Sequence, residues 1–273
     1  MIELDFKTYS NSSMSIISEF VQDIPPGEAK PVIRDLKLVA AEFGAEIKNE
    51  FETHVLNSDF HLVQDTSQGL LAIVSRYTQR GTKFIDYASN LKFHYDFVDQ
   101  KSMDTEEFSE DILPEYNSVD KELEKYTQEH FPDSYKVVLT PFEEGFHVII
   151  VDVRYNDKNF YNGKWQSFYT FNRVKGLISG QVRIKIHYYE DGNVTLNSHK
   201  RLNPTETTVT DIVNHIKSFE DDYQRNLLSS FNNLNEIVFR NLRRQLPINR
   251  SKVQWGKSIG TYKLGQDIGG GRE

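Results

Sequence analysis

The stretch GQVRIKIHYYEDGNVTLNSHK, residues 180–200, contains two strand-like runs on either side of a polar turn. From Val182 to Tyr188, apolar residues alternate with polar ones, which is the period of a strand with one buried face. Asp191-Gly192-Asn193 has the residue types that tight turns favour. The stretch therefore predicts an antiparallel β-hairpin.

The length of the turn decides which residues of this hairpin lie opposite each other. A two-residue turn would place Tyr188 opposite Thr195, whereas a three-residue loop would place it opposite Leu196. We predict the three-residue loop, because Leu196 gives Tyr188 an apolar partner on the same face. Asn193 would then adopt the left-handed conformation that such loops require.

The hairpin lies in a longer region of closely spaced strand-like runs. Short turns such as EEG and NG separate the runs, which favours an antiparallel meander over β-α-β units. The predicted strands are Tyr135–Thr140, Phe146–Tyr155, Trp165–Phe171, Gln181–Glu190 and Val194–His199.

The N-terminal half of the chain begins with helical periodicity. Pro25-Pro26-Gly27 ends the first apolar repeat, and two further short helices follow it. The predicted elements are helices Ser12–Ile24, Lys30–Ala40 and Ala41–Leu56, strands Leu70–Ser75 and Leu91–Val98, an acidic loop Asp99–Asp111 and a helix at about Val119–Phe131.

From Thr208 to Leu246, apolar residues recur at steps of three or four. Thr208 and Asp211 resemble a capping box, and Pro247 ends the repeat. One helix of about 39 residues would be near 60 Å long at roughly 1.5 Å per residue. Five strands spaced about 4.8 Å apart span only some 20 to 25 Å. The predicted helix therefore needs a partner that continues the sheet.

These elements predict an α+β fold. An N-terminal helical bundle and an antiparallel meander precede a long helix across the sheet and a flexible amphipathic tail. The predicted divisions are a helical bundle at 1–58, strands with an acidic loop and a helix at 59–134, the sheet at 135–203, the long helix at 204–247 and the tail at 248–273. With a partner subunit they would form one compact unit.

Composition excludes several classes of protein. The chain of 273 residues has no cysteine, so disulfides, zinc–thiolate sites and thiol nucleophiles are excluded. The N-terminus MIELDFKTYS lacks the pattern of a secretory signal, and no run of apolar residues is long enough for a transmembrane helix. No motif indicates an enzyme, a cofactor or a metal. The glycines of GQDIGGG neither follow a strand nor open a helix, and a diagonal His187–His199 pair would lack a third metal ligand.

Charge is concentrated near the C-terminus, although the net charge is −8. Phe239–Lys263 contains Arg240, Arg243, Arg244, Arg250, Lys252, Lys257 and Lys263 and no acidic residue. Nucleic acid is a poor partner for a chain with a pI near 5.6. A membrane surface would need more large apolar anchors. An acidic protein surface fits best, because arginine pairs with carboxylates and opposite charges speed docking.

Four segments resemble the F-actin capping protein α subunit family. The two longest are IHYYEDGNV (Ile186–Val194) and FRNLRRQLPINR (Phe239–Arg250), and the others are NFYNGKW (Asn159–Trp165) and the tail with Trp255, Tyr262 and Lys263. Ile186 stands where the family usually has valine, and Asn249 stands where it usually has threonine. Neither difference removes a charge or a large side chain.

The resemblance implies an obligate heterodimer with a capping protein β subunit. The two sheets would join side by side, and the C-terminal tails would bind the barbed end of an actin filament. This would block addition and loss of actin subunits, without calcium and without severing. The implied actin-binding residues are Arg240, Arg244, Arg250, Lys252, Trp255, Lys257, Ile259 and Lys263. The residues implied for the fold motif at the subunit interface are His187, Tyr188, Tyr189, Asp191, Gly192 and Asn193.

The resemblance also implies a location and regulators. The location would be the cytoplasm and cytoskeleton, at cortical actin structures. The regulators would be proteins with a capping-protein-interaction motif, myotrophin-like inhibitors and acidic phosphoinositides. An alternative function is a cytoskeletal or phosphoinositide-binding scaffold subunit that uses the same basic tail.

Overall fold

The computed structural model describes residues 16–65, 69–109, 114–131, 134–156, 158, 160–189 and 194–233. The helices are α1 (residues 16–22), α2 (Ala29–Val39), α3 (Gly44–Ser58), α4 (Pro114–His130) and α5 (Ile212–Asn233), with 3-10 turns at Ala41–Phe43 and Val209–Asp211. The strands are β1 (His61–Asp65), β2 (Leu70–Val74), β3 (Gln79–Arg80), β4 (Lys83–Asp86), β5 (Leu91–Asp96), β6 (Lys101–Glu107), β7 (Ser134–Phe142), β8 (Gly145–Asn156), β9 (Tyr161–Asn172), β10 (Leu177–Tyr188) and β11 (Val194–Glu206).

The three N-terminal helices form where the apolar periodicity predicted them, and these predictions are confirmed for the described residues; residues 12–15 of the predicted helix Ser12–Ile24 lie outside them. Val21, Ile33 and Phe51 lie in one buried cluster with side chains of the strands that follow. The turn after α1 depends on Gly27, whose φ is +81°. A Cβ atom there would lie 2.8 Å from the ring of Tyr155 on β8, so any other residue would strain the turn and displace this ring.

The region between α3 and α4 contains more strands than the sequence predicted. β1 pairs with β2, and β3 to β6 form a four-stranded antiparallel sheet. The prediction of a loop at Asp99–Asp111 is wrong for Lys101–Glu107, which form strand β6. That strand pairs with β5, and Glu106 forms ion pairs with Lys92 on β5 and with Lys83 on β4. The alternation was hidden because five of the seven residues of this edge strand are exposed and three of those are acidic.

The predicted five-stranded meander is confirmed, with the order β11-β10-β9-β8-β7 and every pair antiparallel. The strands are longer than predicted. β11 is 13 residues long and continues to Glu206, beyond residue 203, where we had placed the end of the sheet. Pro204 lies within this strand, which is tolerated because an edge strand leaves one side of its backbone unpaired.

The predicted register of the β10–β11 hairpin is wrong. Tyr188 lies opposite Val194 and Ile186 lies opposite Leu196, so residues 189–193 form the connection. The N–H of Tyr189 donates to the carbonyl of Phe160, 2.9 Å away, which continues the ladder between β10 and β9 by one residue pair. The shift of two positions keeps the predicted faces together, so Tyr188 still has an apolar partner. The conformation predicted for Asn193 lies outside the described residues.

The two faces of the sheet are covered by different elements. On one face, Tyr116 and Phe131 at the two ends of α4 contact Phe146 and Trp165. On the opposite face, the core includes Ile149 and side chains of the small sheets, with Phe168 packed against it. Helix α4 and the small sheets therefore both pack on strands β7, β8 and β9, on opposite faces.

α5 begins after the predicted start residue Thr208. The Thr208 hydroxyl donates to the side chain of Asp211 at 2.9 Å, and it makes no bond to the helix backbone. The predicted apolar stripe is buried at Ile212, Ile216 and Tyr223. Residues 234–246 of the predicted helix lie outside the described residues.

Candidate subunit interface

The residues predicted to contact actin lie outside the described residues, because all of them are between Arg240 and Lys263. In the predicted interface motif, Asp191, Gly192 and Asn193 also lie outside them. The structure does place His187, Tyr188 and Tyr189, which form the end of β10 and the start of its connection to β11.

His187 joins the end of β10 to the N-terminal turn. Its Nδ1 lies 3.2 Å from Oε1 of Glu28, and its side chain is only 8% exposed. The same carboxylate accepts a hydrogen bond from Nδ2 of Asn162 at 3.4 Å. The ring of Tyr189 stacks on His187, with centroids 5.2 Å apart. These contacts give the motif a structural role at the end of the hairpin.

The prediction that His187 and His199 are diagonal neighbours across the hairpin is wrong. His187 lies opposite Thr195, whereas His199 lies opposite Arg183, four residues further along β10. In the part of the chain that the structure describes, no group of three or more His, Asp or Glu side chains could hold a metal ion.

Strand β11 is the exposed edge of the sheet. None of its 13 residues is buried, and Val194 is 59% exposed. Leu196 and Leu202, which share the face of Ile186, are half-buried, whereas Asn197 and Arg201 on the other face are exposed. A long edge strand exposes unpaired backbone groups that pair readily with another strand. This edge is therefore the candidate subunit interface.

Sequence reasoning missed a buried ion pair between β9 and the residue that follows α3. The Lys164 ammonium on β9 donates to both carboxylate oxygens of Asp59, each 2.8 Å away, and the two side chains are 9% and 15% exposed. Nε2 of Gln166 donates to the same carboxylate and to the Phe60 carbonyl. Asp59 directly follows α3, so the pair ties the N-terminal helices to the sheet. Lys164 directly precedes the predicted strand Trp165–Phe171, so no local pattern indicated that its ammonium is buried.

Burial raises the pKa of Asp59, but the Lys164 ammonium and its hydrogen bonds outweigh burial and hold that pKa below its usual range. Burial lowers the pKa of His61 to about 4, and Lys164 adds to this while Asp59 opposes it. At neutral pH the site therefore contains a charged pair beside a neutral imidazole.

A second ion pair, also missed, lies at the opposite side of the sheet. The Lys136 ammonium on β7 donates to Oδ2 of Asp86 at 2.8 Å, and Asp86 is 1% exposed. It joins β4 of the small sheet to β7. Each ion pair thus links the five-stranded sheet to an element that packs on it. Neither pair involves β11.

A family model described as F-actin capping protein alpha subunit matches residues 17–267. The chain is 39% identical over 267 residues to the F-actin-capping protein subunit alpha of Candida glabrata, which covers 96% of this chain and 100% of that protein. The protein of the same description from Yarrowia lipolytica is 38% identical over 269 residues, 97% of this chain and 100% of that protein.

The chain belongs to the F-actin capping protein alpha subunit family. The resemblance seen in the four sequence segments is thereby confirmed over nearly the whole chain. Membership associates the chain with actin capping and the cytoskeleton, in a family of structural actin-binding proteins rather than enzymes.

A solved structure has the same fold as this member of the capping protein family. It is the homodimeric actin capping protein alpha subunit from Plasmodium berghei, with a TM-score of 0.71, 18% sequence identity, and coverage of 88% of this chain and 99% of that one. The predicted α+β class is confirmed by this match and by the antiparallel sheets. No helix within the described ranges is long and apolar enough to span a membrane.

Proposed function

We propose that this chain is the α subunit of a heterodimeric capping protein that binds the barbed end of actin filaments. The observation that carries the proposal is the match to F-actin-capping protein subunit alpha along essentially the full length of both chains. The mechanism is steric occlusion: the bound complex blocks addition and loss of actin subunits, without catalysis, without calcium and without severing.

The partner is a capping protein β subunit, and the strand edge β11 is where we propose that the two sheets join. Pairing there would cover an exposed 13-residue strand and extend the sheet beyond five strands. The predicted long helix at 204–247 would then lie across a sheet of matching length. The solved relative from Plasmodium berghei is a homodimer, which supports dimer formation as a property of this fold.

Actin would be bound by the C-terminal segment 248–273 together with the end of the preceding helix. Arg240, Arg244 and Arg250 match the basic positions of the family motif, and Lys252, Lys257 and Lys263 extend the charge. Trp255 and Ile259 would be the apolar anchors, since a few buried aromatic and apolar side chains dominate interface energy. Opposite charge on actin would accelerate association.

The test is seeded actin elongation with the purified heterodimer. We expect Arg244→Glu and Arg250→Glu to weaken capping while the heterodimer remains intact by gel filtration. Arg34→Glu is the matched control, because Arg34 is an exposed arginine on α2 that pairs only with its neighbour Asp35 in the described part of the chain. Equal inhibition by all four proteins would contradict the assignment of the basic segment.

Further arms of the same assay test the finer parts of the proposal. Capping should be unchanged between calcium and a chelator, the number of filaments should not rise, and association should slow as ionic strength increases. A flat dependence on salt would contradict charge steering.

The proposed location is the cytoplasm, at cortical actin structures. The proposed regulators are proteins with a capping-protein-interaction motif, myotrophin-like inhibitors and acidic phosphoinositides. A scaffold that binds phosphoinositides through the same basic segment is the second candidate. It would bind vesicles in co-sedimentation and leave filament elongation unaffected.

A further inference from the structure

A cavity of about 270 Å³ lies between the N-terminal helices and the five-stranded sheet. Its walls come from the turn after α1, from α3, and from strands β1, β5, β8, β9 and β10. Gly27 and Lys30 are exposed lining residues, so the cavity reaches the surface beside this turn. The buried pair of Asp59 and Lys164 lies in its wall.

The wall of the cavity has an excess of positive charge. Lys164 and Lys185 lie directly opposite each other on β9 and β10. Like charges in directly opposed positions destabilise a sheet. Lys30 is a third basic residue, and among the described lining residues Asp59 is the only acid, which leaves a charge of 3 − 1 = +2.

The histidines of the wall do not change this balance at neutral pH. Burial lowers the pKa of both His54 and His61, so both are neutral at pH 7. The charge of Lys185 contributes to the lowered pKa of His54 and of Lys164, which places its ammonium close to both. Two of the three lysines of the wall, Lys164 and Lys185, therefore lie close to each other, whereas Lys30 is exposed at the opening.

Two buried donors in the wall have no hydrogen-bond partner among the described groups. They are the hydroxyl of Tyr95, a side chain that is only 7% exposed, and Nε2 of Gln100. Nε2 of glutamine can only donate, and the phenol of Tyr95 also has a proton to donate. A buried donor without an acceptor is costly, so such groups in native proteins usually serve a ligand or a water.

We propose that this cavity is a binding site for a small free anion that carries a phosphate group. A phosphate dianion matches the charge of +2, and its oxygens can accept from two lysines, Tyr95 and Gln100 together. A carboxylate would neutralise only half of this charge. The volume is below the usual range of about 300–1,000 Å³ for drug-sized ligands, so the ligand is small. The proposal is independent of the proposed role at filament ends.

Titration calorimetry of the full-length chain, in the assembly in which it purifies, tests this site. Inorganic phosphate and glycerol phosphate are the probes, and sodium chloride at equal ionic strength is the reference. Saturable heat with both phosphates and none with chloride is expected. We expect Lys185→Gln and Tyr95→Phe to weaken binding at least tenfold.

Lys48→Gln is the matched control, because Lys48 is an exposed lysine on α3 outside the cavity wall. It should bind like the unmodified chain. Tyr95→Phe also separates a ligand site from a structural role. Removal of an unpaired buried hydroxyl should leave the melting temperature without phosphate unchanged or raised, although binding is lost.

Three results would overturn the proposal. The first is no saturable binding at millimolar phosphate, which would leave the cavity to water. The second is equal binding by Lys185→Gln, Tyr95→Phe and the unmodified chain. The third is that the free phosphates do not bind, whereas vesicles that contain phosphatidic acid bind and Lys185→Gln weakens that binding. This would assign the site to a lipid headgroup instead of a free anion.

Discussion

The two edge strands of the five-stranded sheet, β7 and β11, have opposite environments. On β7, Val138 is 0% exposed and Leu139 is 3% exposed, and both α4 and β2 pack against this strand. On β11, no residue is buried. Each of the two strands has one hydrogen-bonded neighbour in the described part of the chain, β8 for β7 and β10 for β11. The two edges therefore differ in side-chain burial: the chain covers the side chains of β7 and leaves those of β11 exposed.

We propose that this difference marks the edge at which a second subunit would dock. Proteins usually protect an edge strand by shortening it, placing charge or proline on it, or covering it. β11 has the length of an interior strand, and its charged residues Lys200, Arg201 and Glu206 and its only proline, Pro204, all lie from the middle of the strand onward. An open edge of this length is consistent with our proposal that a partner subunit pairs with β11.

The largest loss of folding stability is expected when the ion pair between Asp59 and Lys164 is broken. Asp59→Ala leaves the Lys164 ammonium buried without its carboxylate, and breaking a buried pair by removal of one partner typically costs about 3–5 kcal/mol. We expect a loss of this size in the free energy of unfolding, measured by urea denaturation of the purified complex.

The double variant Asp59→Leu/Lys164→Met sharpens this test. With both charges removed, the loss should be smaller than for Asp59→Ala alone, because an apolar pair can replace a buried ion pair at little cost. If Asp59→Ala were no more destabilising than an exposed substitution such as Asp35→Ala, the tie between the N-terminal helices and the sheet would be contradicted.

The same substitution on the two edges measures their difference directly. Leu139→Ala on β7 should lower the free energy of unfolding by about 2–5 kcal/mol, because it leaves a cavity in a closed core. Leu196→Ala on β11 should cost this fold only about 0.5 kcal/mol and should mainly weaken association with the partner. Denaturation and gel filtration of both variants would separate these effects. Similar losses of folding stability would remove the distinction between the edges.

Acid should destabilise the covered parts of the sheet through two histidines. Burial lowers the pKa of His61 to about 4, and burial with Arg76 and Arg80 lowers that of His147 to about 4. In the unfolded chain both would have a pKa near 6.5. Below that pH the unfolded state binds the protons first, so stability should fall from about pH 6.5 towards pH 4.

The expected acid loss is on the order of 2 kcal/mol for each histidine, because a pKa shift from 6.5 to about 4 counts at about 1.4 kcal/mol per unit and is reduced by partial exposure. Thermal melting of the complex between pH 7.5 and 4, with His61→Gln and His147→Gln as variants, measures it. Each variant should show a shallower decline than the unmodified chain. An unchanged slope in both would assign the acid loss to other groups.

The sequence predicted the parts of the fold that have a strong apolar period. The α2 and α3 helices, the meander and the start of the last helix were found because one face of each is buried. β6 was missed because its exposed acidic residues hide the alternation. The hairpin register could not be read from turn chemistry alone, since the connection between β10 and β11 covers residues 189–193 and not just the three residues with turn chemistry.

The candidate site was predictable only in part. The motif around His187 was identified, but its contact with Glu28 links residues far apart in the chain, and no local pattern reports such a contact. The pairing of Asp59 with Lys164 likewise depends on the assembled fold. The actin-binding assignment of Arg240 to Lys263 stays a prediction, because these residues lie outside the described ranges.

The central claim is that β11 is the edge at which the partner subunit docks. The chain has no cysteine, so Asn197→Cys on β11 introduces a single thiol for a photo-crosslinker. Glu143→Cys, exposed in the turn that follows β7, is the matched control at the other edge. The account predicts a cross-link to the co-expressed β subunit from residue 197 and none from residue 143. Equal cross-linking from both positions, none from residue 197, or a product of two copies of this chain would contradict it.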